Sequence, residues 1–137
     1  MKQLLLFILF SPVVLSQNLI LNGDLEDYSE CPDDGDQVYL VEDWFKVTTT
    51  NSNTPDYFNA CADESTFISV PNNSSGSQLA HSGSGYFSSF MWGNDSGQRE
   101  YVYTELSEQL VGGRVYELSF FVSLCDNPEI GINNIGA

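Results

Sequence analysis

Carboxylates and aromatics are the side chains best suited to chemistry in this 137-residue sequence, and cations are scarce. Nineteen Asp and Glu stand against four Lys and Arg and a single histidine, for a formal net charge of −15. Hard cations require clustered oxygens, and Asp33, Asp34 and Asp36 bring three carboxylates into one loop. Their spacing departs from the D-x-[DN]-x-[DN]-G of an EF-hand, and a solvated acidic loop is the competing reading. Aromatics offer a second chemistry, because sugars stack their apolar faces on such rings while polar neighbours fix orientation. Tyr101 and Tyr103 alternate with Val102 and Thr104, which puts both tyrosines on the less apolar side of one strand as a platform. Trp92 alternates with Phe90 and Tyr86 along a neighbouring candidate strand and is the third candidate ligand-binding residue. Core or interface packing is the competing reading for these rings, and Trp44 and Phe45 are expected in the core.

Other chemistries lack their residues. A Ser-His-Asp arrangement would have to use His81, which lies beside a Ser/Gly turn, and no serine sits in a G-x-S-x-G elbow. Gly83-Ser84-Gly85 does not continue into a P-loop or a GxGxxG pattern. Paired carboxylates for glycoside hydrolysis are available in any chain this acidic, but sequence does not give their separation. No enzyme is expected. So acidic a chain repels phosphate backbones, which argues against nucleic acid as a partner. Zinc is disfavoured by the lone histidine and the absence of CxxC spacing.

Residues 1–16 read as a secretory signal: Lys2 supplies the positive start, 4–15 the short apolar run, and Val14 and Ser16 a small-residue cleavage site before Gln17. The run falls well short of the roughly 20 residues needed to span a bilayer, and Pro12 interrupts it. A secreted chain at or outside the cell surface, or in a periplasm, is therefore expected, without a transmembrane segment once the signal is removed. Export permits disulfides. Cys31 and Cys61 both lie in polar, loop-like sequence and are paired on that ground, whereas Cys125 ends an apolar strand and is expected as a buried free thiol.

The elements that must hold these side chains are strands. Residues 18–21 form a short strand closed by the Asn22-Gly23 turn, and an acidic, turn-rich stretch follows over 26–37. A strand is expected over 38–47, a Thr/Asn/Ser loop over 48–55, and short apolar islands at Tyr57-Phe58 and 67–70. Strands follow at 85–92 and 100–106. Gly112-Gly113 then turns into the clearest alternation in the chain, with Tyr116, Leu118, Phe120, Val122 and Leu124 on one face. That pattern predicts a half-buried antiparallel strand. With no helical periodicity, residues 17–137 read as one all-β, antiparallel β-sandwich of jelly-roll type, incomplete at its C-terminus because six or seven strands fall short of about eight.

The opening at 18–26, Asn-Leu-Ile-Leu-Asn-Gly-Asp-Leu-Glu, resembles the start of carbohydrate-binding-module-type, or galactose-binding-like, jelly rolls. Cys31-Pro32, Trp44-Phe45, the 54–61 stretch Thr-Pro-Asp-Tyr-Phe-Asn-Ala-Cys, Val70-Pro71-Asn72, the 99–102 stretch and 118–126 then follow in order. This succession resembles an N-terminal domain of surface proteins from gliding and related Gram-negative bacteria. The resemblance implies a structural Ca2+ near the first strand, held by backbone carbonyls and Glu26. It also implies continuation into a C-terminal module, such as an outer-membrane-protein-A-like or sorting domain. The expected function is non-catalytic glycan binding. The alternative is a structural or adhesion domain with no ligand of its own.

Overall fold

The computed structural model describes residues 17–47, 53–91, 99–126 and 135–136. Its regular elements are short antiparallel strands with one 3-10 turn, Val38–Leu40. The strands are β1 (Trp44–Lys46), β2 (Asp56–Asn59), β3 (Asn72–Asn73), β4 (Gly76–Ser77), β5 (Gly85–Ser88) and β6 (Val102–Thr104). They form two-stranded ribbons, β1 with β6, β2 with β5, and β3 with β4. The chain is thus essentially all-β, in small antiparallel sheets.

The core forms around β2. Tyr57 and Phe58 are fully buried, as are Val38, Val41 and Ile68. Phe58 packs with Ala62 and Ile68, and its ring meets Tyr86 of β5 edge-to-face at 5.5 Å. Such aromatic contacts add to area burial because the positive ring edge meets the negative face of its neighbour. Trp44 on β1 meets Phe87 of β5 edge-on at 5.3 Å and so ties one ribbon to the other. The short island Tyr57-Phe58 in the sequence is therefore the centre of the molecule.

Asn22 organises the entry of the chain. It adopts φ 45°, a left-handed conformation that Asn tolerates better than most residues, and its carbonyl accepts from Leu25 N at 3.1 Å. Its side-chain amide donates to the carbonyls of Asp27 and Glu42, each at 2.8 Å. The Trp44 indole N–H closes onto the Asn22 carbonyl at 2.9 Å. The Asn-Gly signal read from sequence thus marks a turn that also positions β1.

Several expectations differ from the structure. The stretch 38–47 begins as a 3-10 turn, and only Trp44–Lys46 is strand; Asp43, at φ 65°, breaks the extended path between them. Residues 18–21 contribute a single antiparallel bridge, Ile20 to Leu106. The largest departure is at 116–124. No strand forms there, and Tyr116, Leu118, Phe120, Val122 and Leu124 are all exposed. Alternation specifies which face a strand will bury, but burial needs a neighbour to pair with. Among the described residues the stretch 75–81 passes beside it in the opposite direction, but no ladder joins the two. The segment is held at points: Phe121 stacks on His81 at 3.5 Å, Ser123 Oγ donates to Gln78, Asp126 N donates to the Ser75 carbonyl, and the Asp126 carboxylate accepts the Ser77 N–H at 2.8 Å. Cys125 is free, as expected, but exposed, because the strand that would have buried it is absent. A jelly-roll sandwich is not formed by the described strands.

Candidate functional site

The β1–β6 ribbon has two unlike faces. Its register pairs Trp44 with Thr104, Phe45 with Tyr103 and Lys46 with Val102. Trp44, Lys46, Val102 and Thr104 are partly buried, whereas Phe45, Tyr101 and Tyr103 are 47%, 52% and 48% exposed. The Phe45 and Tyr103 rings lie 5.4 Å apart at 33°, the tilted contact of a cross-strand aromatic pair. Phe45, expected in the core, is instead a member of this open face. Strand alternation explains the change: Trp44 takes the inward position and finds Phe87, so its neighbour must point outward.

Tyr101 lies one step beyond the strand proper, and two buried polar residues hold it there. Asn53, 4% exposed, accepts the Tyr101 N–H at 2.6 Å through Oδ1. Through Nδ2 it donates to the carbonyls of Val47 (2.6 Å) and Tyr101 (3.2 Å). The side chain therefore bridges one half of the next rung, between Tyr101 N and the Val47 carbonyl, while Val47 N donates directly to the Tyr101 carbonyl at 3.4 Å. Glu100, 5% exposed, accepts from Thr54 Oγ1 at 2.9 Å and Thr54 N at 3.3 Å through one oxygen, and from Phe90 N at 2.7 Å through the other. A buried carboxylate is tolerable only with such partners. Neither residue was singled out in the sequence, where Asn53 lies in a polar loop and Glu100 is one acid among many. Trp92 lies outside the described residues.

The acidic loop is knitted rather than open. Lys46 pairs with the Asp36 carboxylate, Asp33 accepts from the Gln37 amide at 2.6 Å, and Asp36 N donates to Asp56 at 2.7 Å. Burial pushes the Asp56 carboxyl above the ordinary carboxylate range; Glu100, Asp36 and Asp34 add to this, and the Asp36 N–H opposes it.

Glu26 also has a structural occupation. One of its oxygens accepts the N–H of Ser84 at 2.6 Å and of Gly85 at 3.2 Å, joining the first turn to the start of β5. Gly83 makes that approach possible, since it adopts φ +66° and a Cβ there would overlap the Glu26 carboxylate. Beneath it, Tyr57 donates to the Leu25 carbonyl at 2.8 Å. Burial, ahead of the charge on Glu26, pushes the Tyr57 phenol up to about 12. Among the described residues no group of three or more His, Cys, Asp or Glu is placed to hold a metal ion. The amide contacts engage one of the two Glu26 carboxylate oxygens.

Cys31 and Cys61 form a disulfide, fastening the acidic loop to the turn after β2. A separate open cleft of about 320 Å³ lies between 64–67 and 72–74, with half-exposed Phe67 in its wall. It contains none of the candidate ligand-binding or metal-binding residues Glu26, Tyr101 and Tyr103. Among the described residues no helix is long and apolar enough to cross a membrane. No family model, curated protein or solved structure matches the chain.

Proposed function

We propose that the chain is a non-catalytic, exported module that binds glycans on the open face of the β1–β6 ribbon. The observation that carries this reading is the alignment of Phe45, Tyr103 and Tyr101 as half-exposed rings on one face. Three large aromatics left open to water cost apolar exposure, and a sugar's C–H face recovers it by stacking. Asn53 and Glu100 fix the Tyr101 backbone, so the platform is set before a ligand arrives and little ordering is lost on binding.

Titration against a panel of soluble oligosaccharides tests this. Tyr101→Ala and Tyr103→Ala should each weaken binding about tenfold, the equivalent of one stacked ring, with the far-UV spectrum unchanged. Asn53→Ala should weaken it as well, by releasing Tyr101 without removing a ring. Saturable binding that survives both tyrosine variants would place any ligand elsewhere.

A second reading, a structural or adhesion domain of a cell-surface protein, is favoured by the exposed segment 115–124. There Val115 is 98% and Phe121 73% exposed, within a run of apolar side chains of the kind that marks interaction surfaces. Under that reading the ribbon binds no sugar and a further polypeptide covers the segment.

A further inference from the structure

The geometry points to a glycan bearing free amino groups as the occupant of the β1–β6 face, an inference that rests on the glycan-binding reading. Aromatic faces carry a negative quadrupole and attract cations as well as sugar C–H groups. The antiparallel register sets Trp44 opposite Thr104, so Asp43 and Glu105, the residues just beyond them, come to the same end of the ribbon. Both are exposed. Among the described residues neither carboxylate accepts a hydrogen bond or joins an ion pair. Glu105 also continues the odd-numbered alternation that turns Tyr101 and Tyr103 outward.

The single cation of the ribbon, Lys46, is on the opposite face and is taken by Asp36. A chain lying along the strands from Tyr101 over Tyr103 and Phe45 would therefore end at the Glu105 carboxylate, with Asp43 at the same end of the ribbon. A ligand ammonium is attracted at every step of that path. A uronate or sulfate is repelled locally, and by the formal charge of −15 as well.

Glucosamine oligomers, their fully N-acetylated counterparts and oligogalacturonate serve as probes, each titrated into the full chain at low and high salt. The free-amine oligomer should bind about tenfold tighter than the acetylated one at low salt. That ratio should shrink as salt screens the charges. Asp43→Asn with Glu105→Gln should bring it to about one; Asn suits the left-handed φ of 65° at position 43, so the turn is kept. Equal affinities, a preference for the uronate, or a ratio indifferent to salt and to the double variant would overturn the inference while leaving glycan binding in place. Binding of none of the three probes would overturn the inference, and binding of no member of the oligosaccharide panel would overturn the glycan-binding reading as well.

Discussion

At the scale of single residues, the acids of this chain divide by what their oxygens already hold. Asp56 is the burdened one. Its carboxyl is pushed upward by burial first and by three neighbouring acids after that. A group with a raised folded-state value contributes stability below its unfolded value, and that contribution is lost as pH rises through the folded one. At neutral pH the charged form is therefore a liability. Asp56→Asn keeps an oxygen to accept the Asp36 N–H, so it should raise the melting temperature at pH 7. It should also flatten the stability profile just above the ordinary carboxylate range; an unchanged profile would mean that Asp56 is not desolvated. Glu26 accepts two amide hydrogen bonds through one carboxylate oxygen, and hydrogen bonds to a charged acceptor are the stronger kind. Glu26→Gln should cost about 1–2 kcal/mol, measured equally with calcium and with chelator. A loss confined to calcium-containing buffer would return this residue to a metal site.

At the scale of elements, the sequence was legible where local chemistry is sufficient and silent where a partner decides. Asn22-Gly23 announced its turn, because left-handed backbone is a property of the residues themselves. Alternation placed Tyr101 and Tyr103 on the open side of β6, and loop placement paired Cys31 with Cys61. Phe45 was misplaced because two adjacent aromatics in a strand cannot both face inward, and sequence does not say which one does. Asn53 and Glu100 were invisible because their importance comes from bonds to residues 46 or 48 positions away. The segment 116–124 failed for the same reason in reverse: a strong pattern makes no ladder when the stretch beside it, 75–81, touches it only at points. Its exposure has a direct consequence. The folded chain should bind a hydrophobic dye such as ANS, and Val115→Lys with Val122→Lys should reduce that signal without lowering the melting temperature, since neither side chain is buried. A lowered melting temperature would show that the segment is packed.

At the scale of the whole molecule, the buried apolar set is small and gathered around β2, while much of the apolar surface near the end of the described chain faces water. Small cores of this kind depend on covalent closure. The bridge from Cys31 to Cys61 spans 30 positions and joins the loop carrying Asp33, Asp34 and Asp36 to the turn that leaves the core. Closing a loop of that length removes denatured-state entropy equivalent to about 3–4 kcal/mol. Reduction should therefore lower the denaturant midpoint sharply and loosen the acidic loop before the β2–β5 ribbon, where Tyr57 and Phe58 are packed. Native-state thiol labelling distinguishes the three cysteines. Cys125, exposed and unbridged, should react with an alkylating reagent in the folded protein, whereas Cys31 and Cys61 should react only after a reductant is added. Protection of Cys125 under native conditions would mean that 116–124 is covered in solution. Labelling of Cys61 without reductant would mean that the bridge does not form, and the fold would then have to rest on the Phe58 cluster alone.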